Sequence, residues 1–126
     1  MNTVMDAAEI VLRVRHADGR WSARTVWVVV VDGEAYVRSA FGRRSVWYRR
    51  VLRDADTQVE VEAAGVRQAV VLQPVEDPGL VRRVSGAYRA KYGLRWPGPV
   101  ESMNGPEAAT TTMRLTEAGQ VSQLPA

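Results

Sequence analysis

Three two-residue reversals punctuate the first 65 residues of the chain, and each separates two β-rich runs. Asp18-Gly19 lies between "EIVLRVR" (Glu9–Arg15) and "WSARTVWVVVV" (Trp21–Val31). Asp32-Gly33 leads from there into "EAYVRSA" (Glu34–Ala40), and Ala64-Gly65 joins "TQVEVEA" (Thr57–Ala63) to "VRQAVVLQPV" (Val66–Val75). An Asp-Gly pair, which tolerates positive φ, between such runs is the strongest short-range signal for a β-hairpin. With "TTTMRLT" (Thr110–Thr116) as a last strand, the chain reads as six antiparallel strands. From Val26 to Val31 the sequence is apolar at every position, as in a strand covered on both faces. A sheet of this kind escapes exposed edges by curling into a closed or nearly closed barrel. The fold class is therefore mainly β with helices (α+β).

Two helices interrupt the strands. "RRSVWYRRVLRDA" reads as a short helix capped by Ser45, with Trp47 and Val51 four apart on one face. "DPGLVRRVSGAYRAKYG" carries the stronger signals: Asp77 at the cap, Pro78 in the first turn and Gly93 beyond the end predict a helix over about 77–92. Leu80, Val84, Ala87, Tyr88 and Tyr92 form its apolar stripe, so the two tyrosines read as core packing. The proline- and glycine-rich "LRWPGPVESMNGPEAA" reads as a loop of binding length that carries Trp96. The tail, about 117–126, is expected to fray. The 126 residues fit one domain, 1–126.

Composition enters chiefly through what it excludes. With no cysteine and one histidine, His16, thiolate and histidine-rich metal sites are ruled out, and no metal is expected. His16 sits in the turn "HADGR", an unsuitable place for the oriented base of a Ser-His-Asp triad. The N-terminus lacks the basic-then-apolar order of a secretory signal, and "VWVVVV" is too short to span a bilayer. The reading is a cytoplasmic protein with no membrane partner. Of the 17 basic residues only Lys91 is lysine. Fourteen acidic residues are dispersed among the arginines, which argues against a nucleic-acid stripe. Glu60 and Glu62 alternate onto a solvent face rather than forming an acid–base pair.

The arginines that matter are those placed in "AYVRSAFGRRSVWYRRVL" (Ala35–Leu52), a strand, a glycine turn and a helix start crowded with guanidinium and aromatic groups. Together with Asp32-Gly33, "WY" (Trp47-Tyr48) and "VEVEA", this order resembles the flavin- and deazaflavin-binding split β-barrels, including the deazaflavin-dependent nitroreductase-like proteins. From about Glu9 to Leu115 the chain is similar to a bacterial domain-of-unknown-function family of the FMN-binding split-barrel superfamily. The resemblance implies a six-stranded split barrel, a homodimer, and FMN or a deazaflavin as cofactor. It implies that Ser39, Arg43 and Arg44 hold the cofactor phosphate, and that Arg24 and Thr25 approach the ring or its ribityl chain. Trp47 and Tyr48 match the family's aromatic pair, either packing the small helix or stacking on the ring. The sequence departs from the deazaflavin enzymes at Ala40, where they carry lysine, and at Arg50, where they carry asparagine. FMN, another anionic cofactor such as haem, and no cofactor all stay open. So do two functions: a flavin- or deazaflavin-dependent oxidoreductase acting on a small organic molecule, and a cofactor-free small-molecule-binding or biosynthetic barrel. No catalytic residue is identified.

Overall fold

A computed structural model describes residues 1–118; residues 119–126 lie outside the description, and with them most of the expected tail. Five α-helices, a 3-10 turn and seven strands make up the described chain. In order they are α1 (Asn2–Asp6), β1 (Ile10–Arg15), β2 (Trp21–Val26), β3 (Val28–Val31), β4 (Glu34–Val37), the 3-10 turn (Gly42–Arg44), α2 (Val46–Arg53), β5 (Val59–Ala63), β6 (Val66–Pro74), α3 (Pro78–Tyr92), α4 (Pro97–Met103), α5 (Pro106–Ala109) and β7 (Met113–Glu117).

The seven strands form one sheet in the order β2-β1-β5-β6-β7-β4-β3, with every neighbouring pair antiparallel. The count is seven rather than the expected six because "WSARTVWVVVV" divides at Trp27. Its first half pairs with β1 (Ile10 opposite Val26), its second with β4 (Val28 opposite Val37). By the antiparallel order β2 and β3 run in the same sense, so one extended segment serves both margins of the sheet. A single residue between the margins holds Val26 and Val28 within about 7 Å of each other. That link curls the sheet into a half-barrel. β7 fills the gap between β6 and β4, so the last strand in chain order lies inside the sheet.

The hairpins follow the turn chemistry. Asp32 and Gly33 have φ of 52° and 79°, and Ala64 and Gly65 have 50° and 78°, positive at both central positions as a type I′ turn requires. Ala64 is exposed and pays the steric cost of a Cβ in the left-handed region. Ala64→Asn, which restores the preferred Asn-Gly pair, is expected to stabilise the protein by about 0.5–1 kcal/mol in urea unfolding.

Two clusters form the core. The barrel interior takes alternate residues from the strands, such as Leu12, Val61, Leu72 and Leu115, and is plugged by Trp47, Tyr48 and Val51 of α2. The second cluster lies on the outer face of β3 and β4, where Val84, Tyr88 and Tyr92 of α3 with Val100 and Met103 of α4 cover Val29, Val31 and Tyr36. α3 therefore packs against the side of the barrel rather than across an open end. This two-sided burial accounts for Val28, Val29 and Val31 of β3, while Val30 stays 40% exposed.

The ends of α3 are fixed by specific groups. Asp77 accepts from the Leu80 amide at 2.8 Å, and Pro78 opens the helix. Near the other end the Lys91 ammonium donates to the carbonyls of Ala7 and Val28, each at 2.7 Å. The Tyr92 hydroxyl lies 2.6 Å from the Ala8 carbonyl and 3.0 Å from that of Val28. The chain's one lysine thus ties the N-terminal segment to β3, and burial lowers its pKa. The expected loop after α3 contains α4 and α5, because Pro97 and Pro106 sit in first turns where the missing N–H costs no hydrogen bond. Glu117, placed in the fraying tail by the sequence reading, belongs to β7 and pairs with the N-terminal ammonium at 3.3 Å.

Candidate functional site

A cavity of about 450 Å³ opens where β2 crosses into β3, between the end of β4, the start of α2 and α4. Arg24 and Thr25 stand on its β2 wall, with Trp27 beside them at the crossover. Ser39 and Phe41 border it from the segment after β4, and Trp47 from the first turn of α2. Pro99, Ser102 and Met103 of α4 form the facing wall, so the stretch expected to be a loop contributes its helix instead.

The chemistry of this lining is one-sided. Arg24 and Arg38 are its charged residues, no carboxylate borders it, and Thr25, Ser39, Ser45 and Ser102 bring hydroxyls. Ser39 is buried to 1% exposure, and its Oγ has no hydrogen-bond partner. Its backbone is held from both sides: the amide donates to Thr111 Oγ1 at 2.9 Å and the carbonyl accepts from Gly42 at 3.0 Å. An unsatisfied buried hydroxyl costs about 1–3 kcal/mol, so one rigidly mounted on a cavity wall is poised for an incoming polar group.

Arg38 is the residue that sequence reasoning left out of the site. Its side chain is buried and meets only neutral acceptors. Nε donates to Thr112 Oγ1 at 2.8 Å and Nη2 to the Val81 carbonyl at 2.8 Å. Nη1 faces Ser85 Oγ, the Met103 carbonyl and Asn104 Oδ1 at 2.9–3.1 Å. Its guanidinium lies 5.4 Å from the centre of the Tyr88 ring. Burial lowers the Arg38 pKa and pushes the Tyr88 phenol well above its usual range. Charge at this position is neutralised by no ion pair among the described residues, so the cavity wall carries a standing positive field. A usable signal existed: Arg38 continues the alternation of Tyr36, whose face the apolar stripe of α3 covers.

The expected phosphate cluster is not brought together. Ser39 borders the cavity, but Gly42 (φ 65°) turns the chain away, and Arg43 and Arg44 leave on the other side. Arg43 Nε donates to Thr110 Oγ1 at 3.3 Å, and Arg44 stands 82% exposed, 3.9 Å from Glu107. Tyr48 also faces away, its hydroxyl 3.4 Å from the Thr110 carbonyl, while Trp47 meets its ring edge-on at 6.0 Å. Of the seven named residues, Arg24, Thr25, Ser39 and Trp47 share the cavity; Arg43, Arg44 and Tyr48 do not. Trp27, the aromatic wall missed by the sequence reading, is fixed by stacking on Tyr92 at 4.1 Å with 5° between the ring planes.

Among the described residues no group of three or more histidine, cysteine, aspartate or glutamate side chains could hold a metal, and no helix is long and apolar enough to cross a membrane. The seven-stranded half-barrel with flanking helices is shared with solved split-barrel structures at low sequence identity. ChuZ from Campylobacter jejuni superposes with a TM-score of 0.66 at 12% identity, over 91% of this chain; this chain spans 49% of ChuZ, about half its length. The conserved hypothetical protein Rv2991 from Mycobacterium tuberculosis gives 0.59 at 17% identity, covering 99% of this chain and 86% of that one. A provisionally assigned pyridoxamine 5'-phosphate oxidase from Listeria innocua gives 0.59 at 16% identity, covering 93% and 87%. These likenesses establish the class, a split β-barrel, at the level of fold. The chain belongs to the bacterial family described as "Uncharacterized protein conserved in bacteria (DUF2255)", whose pattern matches residues 1–115. No curated protein matches the sequence.

Proposed function

We propose that the 450 Å³ cavity binds a flat, phosphorylated cofactor of the flavin or deazaflavin type, and that the protein is an oxidoreductase acting on a small organic molecule. The observation that carries this reading is the orphaned Ser39 hydroxyl in a cavity lined by two arginines and no carboxylate. A phosphate is the group that such donors hold best, through charge-assisted bonds. The fold class and the name of the Listeria innocua neighbour support it.

In this reading Arg24, Arg38 and Ser39 take the part that the resemblance gives to Ser39, Arg43 and Arg44. Arg38 acts as a fixed charge because its bonds to Thr112 ahead of β7, to α3 and to α4 prevent it from swinging. Arg24 is exposed and free to close on the ligand. Trp27 and Trp47 shape a slot for a planar ring system, and Thr25 borders it. Once bound, a flavin supplies hydride transfer; the protein supplies orientation, field and exclusion of water. Phe41 is 76% exposed at the cavity mouth, a position suited to burial by a second copy in a cytoplasmic homodimer.

The test is titration with FMN and with a deazaflavin, followed by visible absorption and cofactor fluorescence. Saturable binding is expected for one of them. Arg24→Ala and Ser39→Ala are each expected to weaken it about tenfold, the value of one charge-assisted or buried hydrogen bond. Indifference to both cofactors, or unchanged affinity when Arg24→Ala and Ser39→Ala are combined, would overturn the proposal. One observation favours the second reading, a cofactor-free small-molecule barrel: Arg43 and Arg44 stand away from the cavity, so two of the three residues expected to bind the phosphate are missing from it.

A further inference from the structure

Behind the 3-10 turn, on the side of the barrel where Arg43 emerges, lies a second and shallower groove of about 730 Å³. It runs between α2 and the connection from β6 to α3. Leu52, Pro74, Val75, Pro78 and Val81 give it an apolar lining, and Leu52 is 49% exposed there. Arg43 and Arg49 border it from the α2 side, together with Tyr48 and Thr110; Glu76 borders it from the β6 side. Several other arginines of the sheet and helices face a carboxylate: Arg13 meets Glu60, Arg83 meets Asp32, and Arg114 meets Glu34. Arg43 and Arg49 have no such partner among the described residues.

We infer that this groove is a second binding site, for an amphipathic monocarboxylate. Two guanidinium forks offer the planar, paired donors that a carboxylate accepts. Arg43 is already held toward the groove by Thr110 Oγ1, which is itself bonded to the Glu107 carbonyl at 2.7 Å, so part of the ordering cost is met before binding. Five apolar side chains along the lining call for a hydrocarbon body behind the charged head, since a small inorganic anion would leave them wet. Glu76 sets the charge of the ligand. With two cations and one carboxylate around it, the groove carries a net charge of +1 (2 − 1), which one carboxylate neutralises and a phosphate dianion exceeds. The inference does not depend on the flavin reading, because none of these residues borders the other cavity.

The experiment is calorimetric titration of the whole protein with octanoate, octanol and octylamine, each below its aggregation limit. Octanoate is expected to bind saturably with one equivalent, and octanol and octylamine at least tenfold more weakly. The double variant Arg43→Gln with Arg49→Gln, both exposed positions, is expected to lose at least tenfold in octanoate affinity. Leu52→Ser is expected to weaken octanoate and octanol alike. Equal binding of octanoate and octylamine, undiminished binding in the arginine double variant, or no saturation by octanoate would overturn the inference. FMN titration of the same double variant serves as the control for the first cavity and is expected to be unchanged.

Discussion

Arg38→Leu is expected to lower the unfolding free energy by about 3–5 kcal/mol, a third or more of what a domain of this size ordinarily has. Leucine keeps the apolar volume of the side-chain stem and removes a buried charge, which taken alone would favour the variant. The partners decide the sign. The carbonyls of Val81 and Met103, the Ser85 hydroxyl and the Asn104 amide oxygen each lose a donor, and these groups belong to α3, α4 and the segment after α4. Each acceptor left dry costs about 1–3 kcal/mol, and only those that water can reach will recover. Urea unfolding monitored by circular dichroism measures the loss. Proteolysis is expected to show α3 and α4 opening from the sheet before the barrel does. Arg38→Lys should restore only part of the stability, because three ammonium donors cannot span acceptors arranged around a fork. Wild-type stability in Arg38→Leu would mean that the site is held by packing alone.

Trp47→Ala should cost about as much, roughly 3–5 kcal/mol, by a different route. The indole is 6% exposed, packs with Tyr48 and Val51 in the barrel interior, and also forms one wall of the first cavity. Truncation leaves a void in the plug that α2 inserts into the barrel, and an eight-residue helix has little independent stability with which to resist fraying. Trp47→Phe keeps most of the plug and is expected to lose no more than about half as much. The pair of variants separates two roles. Thermal unfolding reports the plug, and cofactor affinity at a temperature where Trp47→Phe is fully folded reports the wall. Equal stability of Trp47→Ala and wild type would refute the plug.

How much of this was legible in the sequence depended on the range of the contacts involved. Hairpins at Asp32-Gly33 and Ala64-Gly65 are local, and their turn residues state them openly. The Asp77–Pro78 start of α3 is equally local. Trp27 was not: nothing within five residues of it says that the strand changes partner there, since that depends on β1 and β4, the partners of β2 and β3, lying next to opposite margins of a curled sheet. α4 and α5 were masked by proline and glycine, which mark both loops and helix starts. The site was half legible. Ser39, Arg24, Thr25 and Trp47 converge as the resemblance implied, whereas the positive φ of Gly42 sends Arg43 and Arg44 elsewhere. A glycine in a turn announces freedom without direction. Adding a Cβ there would run into the Glu107 side chain, a contact with α5 made 65 residues later (107 − 42). Nothing local sets Arg38 apart from the other arginines of Ala35–Leu52, because only the covering helices distinguish a buried guanidinium from a solvated one.

The position of β7 between β6 and β4 has a consequence for the order of assembly. Until residues 113–117 emerge from the ribosome, the nascent chain can build a four-strand ribbon (β2-β1-β5-β6) and a hairpin (β3-β4) tethered to it through Trp27, but no strand can pair with both β6 and β4. Each piece meanwhile presents a bare strand to solvent, at β6 and at β4, where another polypeptide could dock. β7 works as a keystone set last, and the barrel's vulnerability to mispairing is concentrated in the moments before it arrives.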